Sequence, residues 1–588
     1  MRFWFTYLLI CLLFLGSLRA EPLKEFDLFV EKARQDWHTP GVAMAIVQDG
    51  KVIFSRGFGY RDLEKKLPVT SRTQFVLASL TKAFTAFVLG TLVDEGKLEW
   101  DTPIKTYVPN FQMSDREAAE NVSVRDLLRH TTGLPEHDGV WFNSNVSIEE
   151  VIARLPHLES NKKFRSAWQY NNAMFGVAGF VAQTISKQSW ESLVAERILK
   201  PLGMKQTYFS IKETQKREVA YPYEFWEGQV QRIAMRDIRN MIPAGGLNSC
   251  LEDVVLWLKM QMNGGRYNNK VLIEPATLNE MHTPQFAMPP LIGMPEVTPV
   301  GYGLGWNVLD YEGHPVISHS GYVDGFSNYI AFLPEDNIGI VVLTNVDKNL
   351  LAQILTYEAC DRLLNLPMHN WHQVKLKQIA MLYEAQKEAK GKRLLLKKQG
   401  TTPAHALEDY LGEYEHPAYG TAKVELRDGK LFFVFHDIAT SLDHWHYEVF
   451  EFARQQKDHY FEGRKVTFLT DLSGDVSAVC APMEPLVKEI VFRRVASKDL
   501  LQGAYLSKFA GQYQFADQKI DILWEGGSLK MMLPGQPKLD LVPLKNNLFQ
   551  LKQMGGHTLF FGLDDEGKVK EMYIDRPAGN LLVRKKVL

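Results

Sequence analysis

Cysteine is scarce in this chain. There are four in 588 residues, and one of them, Cys11, falls in the N-terminal apolar run, leaving Cys250, Cys360 and Cys480. Three thiols close at most one internal disulfide, so a disulfide scaffold is excluded. None has the spacing of a zinc ligand or the surroundings of a nucleophilic thiol, and burial as small apolar side chains is the expectation for all three. Excess charge is missing as well: 67 Lys and Arg stand against 69 Asp and Glu. A net charge of −2 provides no basic field for nucleic acid and no polybasic patch for a membrane surface. Beyond the first twenty residues no apolar run is long enough to cross a bilayer. What remains, 45% hydrophobic and 23% charged residues, is the composition of an ordinary soluble globular protein, and the length implies three or more domains.

Arg2, the apolar run Phe3 to Leu18 and then Arg19-Ala20-Glu21 read as an export signal cleaved after Ala20, with an uncleaved N-terminal anchor as the alternative. Cys11 is a poor lipid-attachment site because bulky Ile10 precedes it. Export implies a periplasmic or secreted protein, with no membrane span once the signal is removed.

Three short motifs carry the chemistry: Ser79-Leu80-Thr81-Lys82, Tyr170-Asn171-Asn172 and His319-Ser320-Gly321. Each pattern occurs a second time, at Ser160-Asn161-Lys162-Lys163, Tyr267-Asn268-Asn269 and His137-Asp138-Gly139. Context separates them. Ser79 follows the extended run Gln74 to Leu77 and opens a helical segment whose buried stripe is Leu80, Phe84, Phe87, Val88 and Leu92, ended by Gly96. At i, i+3 spacing Ser79 and Lys82 share a face, and the helix N-terminus favours developing negative charge beside them. Ser160 lies in a polar Glu-Ser-Asn-Lys-Lys stretch and reads as a surface turn. Tyr170 precedes the apolar helix Met174 to Ile185, whereas Tyr267 follows Gly264-Gly265-Arg266. His319 closes the apolar run Pro315 to Ser318, the first of three successive antiparallel strands, while His137 sits in a Pro/Glu/His/Asp/Gly turn.

With these motifs in this order, the chain resembles the serine hydrolase family of class C β-lactamases, D-alanyl-D-alanine carboxypeptidases, D-aminopeptidases and β-lactamase-like esterases. The stretches Leu127 to Pro135, Pro201 to Met204, Pro243 to Leu247 and Tyr302 to Trp306 fit the same pattern, and the match runs from about Phe26 to about Leu364. The resemblance implies an α/β (α+β) catalytic domain of β-lactamase/transpeptidase type: an antiparallel five-stranded sheet with helices, beside a helical lobe. It implies Ser79 as nucleophile and Lys82 and Tyr170 as its activating pair, with Asn172 orienting the substrate amide or the ammonium. It further implies His319, Ser320 and Gly321 along the substrate, and backbone N–H groups of Ser79 and Tyr322 as the oxyanion hole. No metal or organic cofactor is required. A phenol as base needs nearby cations, and Lys82 with a partly protonated His319 is the expected source.

Histidine stands where true β-lactamases have Lys-Thr-Gly, and neutral imidazole offers less fixed charge for a penicillin carboxylate. The expectation is therefore an exported serine hydrolase, either a D-amino-acid-specific peptidase (carboxypeptidase or aminopeptidase) or a small-acyl esterase. Its substrates would be small peptides, esters or β-lactams, peptidoglycan fragments among them. The alternatives are a weak β-lactamase and a non-catalytic penicillin-binding-like protein that binds peptidoglycan or a partner.

The Asp49-Gly50 turn between Gly41–Val47 and Lys51–Ser55 predicts a hairpin at the start of the catalytic region. The domain reading is a signal at 1–20, catalytic domain at 21–365, linker helix at 366–404 and two accessory β-domains at 405–497 and 498–588. The last two form a repeat. Gly412-Glu413-Tyr414 matches Gly511-Gln512-Tyr513, Asp428-Gly429 matches Gly526-Gly527, Phe450 matches Phe549, Phe468 matches Phe561 and Arg493 matches Arg584. Short strands at regular spacing predict two small antiparallel barrels. His444-Trp445-His446 reads as one solvated strand face rather than a metal site.

Overall fold

The computed structural model describes residues 23–585 apart from 291–293, 454–459, 473, 555 and 577–578. The proposed signal segment and Cys11 lie outside the described residues. Two compact units are formed, one running to Lys397 with Met483–Lys488 added, the other holding most of the chain from Lys398 onward.

The first unit is built on one antiparallel sheet. Its strands are β1 (Gly41–Gln48), β2 (Lys51–Asp62), β3 (Leu67–Pro68), β4 (Val297–Tyr302), β5 (Asn307–Tyr311), β6 (His314–Val323), β7 (Phe326–Leu333) and β8 (Ile338–Thr344). Their order across the sheet is β4-β5-β6-β7-β8-β1-β2-β3. The sheet has eight strands rather than the expected five: six, β5 to β8 with β1 and β2, form its body, β4 adds one edge beside β5, and the two-residue β3 adds the other past a bulge in β2. The predicted hairpin is β1–β2, with Asp49 and Gly50 both at positive φ, the geometry that matches strand twist in a two-residue turn. β1, β7 and β8 are buried nearly throughout, so they read as continuous apolar runs rather than as alternation.

Helices cover the sheet. The long ones are α1 (Phe26–Asp36), α2 (Thr81–Asp94), α3 (Asn172–Ser186), α4 (Leu251–Met262), α5 (Leu351–Leu364) and α6 (Trp371–Leu394). α1 and α5 pack one face into a cluster with Val42, Met44, Ile340, Val342 and Trp371. α2 is buried from Thr81 through Leu92, as expected of a helix without a polar face. Asn171 caps α3 by accepting from the Met174 N–H at 3.0 Å, which fixes where that helix begins. Beyond its first turn, α6 is mostly exposed.

The second unit holds two closed eight-stranded barrels, from Gly412–His416 to Ile490–Val495 and from Gly511–Phe515 to Leu581–Lys585. Closure removes free edges from both. The repeat is structural as well as sequential. Tyr414 donates to the Tyr410 carbonyl at 2.7 Å, and Tyr513 to the Phe509 carbonyl at 2.8 Å. Each barrel closes in the same register, Glu415 opposite Arg493 and Gln514 opposite Arg584. Asp428-Gly429 and Gly526-Gly527 all have positive φ. Trp445 is buried while His444 and His446 lie on the opposite, half-buried face. Cys250 and Cys360 are buried and Cys480 is half-buried, and all three are free thiols.

Candidate active site

Ser79 sits in a single 3₁₀ turn, Ala78–Leu80, between the short strand Phe75–Val76 and α2. Ala78 holds φ at 51°, an uncommon value for a residue with a side chain. The turn is tied down from several sides. Leu77 N–H donates to the Leu247 carbonyl at 2.8 Å, and Asn328 Nδ2 to the Val76 carbonyl at 2.8 Å. β6 passes so close that a Cβ on Gly321 would lie 2.2 Å from the Leu77 oxygen, so only glycine fits there. That approach carries the Tyr322 backbone alongside the Ser79 turn.

The three motifs converge on Ser79 Oγ. Lys82 Nζ lies 3.0 Å away, and Tyr170 Oη donates to Oγ at 2.8 Å. Lys82 also donates to Asn172 Oδ1 at 2.7 Å and to the Ala244 carbonyl at 2.9 Å. Asn172 cannot turn its amide over, because Nδ2 donates to Asp138 Oδ2 at 3.0 Å and an amide oxygen there would face a carboxylate. Trp141 Nε1 donates to Asp138 Oδ1 at 3.1 Å.

Burial dominates the electrostatics. Lys82 has no exposed surface, and desolvation pulls its ammonium down to about 7 against the opposing pull of Asp138 and Glu136. Two of its neighbours, Asn172 Oδ1 and the Ala244 carbonyl, are acceptors only. A neutral amine satisfies both with its two N–H bonds and turns its lone pair to Ser79. Burial pushes Asp138 up, with Glu136 adding to the rise and Asn172, Lys82 and Trp141 restraining it, and because both of its oxygens accept N–H bonds, from Trp141 and Asn172, the site suits the carboxylate form.

Two expectations about protonation are corrected. His319 is not partly charged: it is 3% exposed, and burial together with Lys82 takes it down to about 3. Its hydrogen bonds fit a neutral ring. Nδ1–H donates to the Ser320 carbonyl at 2.6 Å, which leaves Nε2 to accept from Tyr302 Oη at 2.9 Å. Tyr170 is not lowered toward phenolate either. Burial raises it, and the carboxylates of Glu136 and Asp138 raise it further, against a lowering by its bond to Ser79. The third motif also lies within β6, which runs on to Val323, rather than at the strand's end.

The second copies of the motifs are elsewhere or differently used. Ser160 is half-buried with Ser114 as its partner, and Tyr267 lies in the small Arg266–Tyr267 and Lys270–Val271 hairpin. His137-Asp138-Gly139 does form a turn, yet the turn faces the site and delivers Asp138 to Asn172. Asp138, Ala244 and Tyr302 were not singled out from sequence. The family-like stretches Pro243 to Leu247 and Tyr302 to Trp306 were the available signal, without a role attached. His130, from another such stretch, accepts from the Asn171 N–H at 3.1 Å and packs 4.5 Å from the Tyr170 ring.

The chain belongs to the Beta-lactamase family, whose model matches residues 26–359. A second model, a domain of unknown function (DUF3471), matches residues 396–494. Protein flp of Staphylococcus aureus (strain MW2) is 29% identical over 346 residues, covering 58% of this chain and 66% of that protein. The match therefore spans just under two-thirds of that relative's length. Unguisins hydrolase ungD' of Aspergillus campestris (strain IBT 28561) is 27% identical over 423 residues, 68% of this chain and 77% of that protein. Among solved structures, the octameric penicillin-binding protein homologue from Pyrococcus abyssi aligns at TM-score 0.53 and 23% identity, covering 80% of this chain and 99% of that one. EstCE1, a hydrolase with promiscuous acyltransferase activity, aligns at TM-score 0.51 and 18% identity, covering 58% and 98%. The last two are likenesses of fold.

Proposed function

We propose that this beta-lactamase-family serine hydrolase works through an acyl-enzyme on Ser79, with Lys82 as the general base. The observation that carries the reading is the placement of Lys82 Nζ, 3.0 Å from Ser79 Oγ with two pure acceptors on its other side. Neutral Lys82 takes the Ser79 proton as Oγ attacks the substrate carbonyl carbon. The N–H groups of Ser79 and Tyr322 receive the oxyanion. Tyr170 passes its proton to the departing amine or alkoxide and is reprotonated from the Lys82 ammonium. Water then attacks the acyl carbonyl with the same base, releasing the acid and restoring Ser79. Asn172 positions Lys82.

The substrate class we propose is a D-amino-acid peptide or amide, or a small-acyl ester. Neutral His319 supports it, because the third motif then brings no fixed positive charge for a β-lactam carboxylate. Asp138 and Glu136 make the surroundings of Lys82 acidic, which favours a substrate bearing an ammonium over one bearing a free carboxylate. A periplasmic or secreted location completes the reading and rests on the N-terminal segment. The test is kcat/KM for paired D- and L-amino-acid p-nitroanilides and for p-nitrophenyl acetate, with mass spectrometry of the Ser79 peptide. Turnover without a Ser79 adduct, or preference for the L series with no esterase activity, overturns it.

A further inference from the structure

The turn that carries Asp138 is held from both ends. On one side Asn171 Nδ2 donates to the Leu134 and Pro135 carbonyls at 3.2 and 2.6 Å. On the other, the His137 N–H donates to Glu484 Oε2 at 3.0 Å. Glu484 is 5% exposed although it is a lone acid on a loop, and its second oxygen accepts from the Leu486 N–H at 3.1 Å. The loop, Met483–Lys488, connects strands Val476–Ala481 and Ile490–Val495 of the first barrel but belongs to the catalytic unit. It is further tied there by Asn161 Nδ2, which donates to the Leu486 carbonyl at 3.2 Å and is itself held by Gln169.

His137 needs such a hold, because its φ of 47° is left-handed and costs backbone energy in a residue with a side chain. Asp138 is the next residue. A shift of the turn therefore moves the carboxylate that orients Asn172, and Asn172 orients Lys82. We propose that Glu484 is a positioning residue for the reaction, fixing the 135–138 turn so that Asp138 holds Asn172 and, through it, Lys82. This gives the segment matched as DUF3471 a part in catalysis, and it rests on the reading of Lys82 as base.

The groups facing Lys82 are Asp138 and Glu136 from this turn, His130, Tyr170 and His319; those facing Glu484 are Glu136 and His137. Asp138 raises Lys82, so a displaced Asp138 leaves burial less opposed and moves the acid limb of acylation to lower pH.

The experiment measures the rate of Ser79 labelling by a fluorophosphonate from about pH 5.5 to about pH 9, a span bracketing the Lys82 titration, in the full chain and in Glu484→Ala and Glu484→Gln. Glu484→Ala is expected to lower the plateau by ~10- to 100-fold, the scale of a small misplacement near the chemistry, and to move the acid limb down. Glu484→Gln keeps a carbonyl acceptor for the His137 N–H while its amide nitrogen faces the Leu486 N–H, and it recovers part of the lost rate and brings the limb back toward the wild type. A Glu484→Ala profile that overlays the wild type overturns the proposal, and so does a folded Glu484→Gln as slow as Glu484→Ala. If Glu484→Ala does not fold, Glu484→Asp takes its place in both comparisons: its shorter side chain draws the carboxylate back from the His137 N–H, so it must be slower than Glu484→Gln with its acid limb moved down, and an Asp profile that overlays the wild type overturns the proposal. Absence of Ser79 labelling in the wild type is a different result: it overturns the reading of the site itself.

Discussion

Asp138 and Asn172 form the contact on which the order of the site depends. Asn172 Nδ2 reaches Oδ2 of Asp138 at 3.0 Å and its Oδ1 receives Lys82 at 2.7 Å, so one amide links a half-buried carboxylate to a buried amine. Asp138→Asn is expected to lower acylation by ~10-fold or more, because an amide in that place no longer dictates which way Asn172 faces. Its acid limb should move to lower pH, in the direction expected for Glu484→Ala. Stopped-flow acylation across pH checks this; an unshifted limb denies Asp138 its influence on Lys82.

Ser79→Ala is expected to abolish hydrolysis of p-nitrophenyl acetate and butyrate while leaving the melting curve in place. Ser160→Ala, at a half-buried position outside any helix or strand, should be silent. The reverse pattern would move the nucleophile to the other motif.

Lys82→Ala and Tyr170→Phe should each slow acylation by at least ~100-fold, the scale for losing a proton-transfer group, whereas Tyr267→Phe has no effect. The sign of the pH dependence follows from Lys82. Its ammonium is lowered to about 7 by burial, so kcat/KM rises as pH passes through that region and the free amine forms. A profile with no limb near neutrality assigns the base elsewhere.

His319 makes an opposite prediction. Buried and lowered to about 3, it stays neutral from about pH 5.5 to about pH 8, well above its titration. The ratio of acylation by an anionic β-lactam to acylation by a neutral ester should therefore stay flat over that range in the wild type. His319→Lys should raise the ratio by adding fixed charge. A wild-type ratio that climbs toward low pH means that the imidazole protonates in the occupied site.

Gly321→Ala tests the close approach of β6 to the Ser79 turn. The added methyl carbon lies 2.2 Å from a backbone oxygen that cannot rotate away, so the strand or the turn must move. Loss of acylation is expected, together with a lower melting temperature. A fully active, equally stable variant would mean that the strand gives way at no cost.

Much of this molecule is readable from local pattern. The step from Phe75–Val76 into a buried helix sets Ser79 apart from Ser160, which has no apolar helix behind it. Asp49-Gly50 and the Gly-rich turns of the repeat announced hairpins, because backbone at positive φ leaves its mark in residue type. Gly412-Glu413-Tyr414 and Gly511-Gln512-Tyr513 announced two copies of one barrel. The chain order of the three motifs, with the stretches around them, pointed to the family.

Other properties were decided only by folding. His137-Asp138-Gly139 is a turn in sequence and in structure, but nothing local says that it faces Asn172, which is 34 residues away. Ala244 serves Lys82 through a carbonyl, a group every residue has. Glu484 lies 347 residues from the N–H it accepts, on a loop that composition assigns to a barrel. The charges of Lys82, Tyr170 and His319 follow the same rule. Residue type fixes which groups titrate, whereas burial fixes where, and burial is set by contacts between parts of the chain that only the tertiary structure brings together.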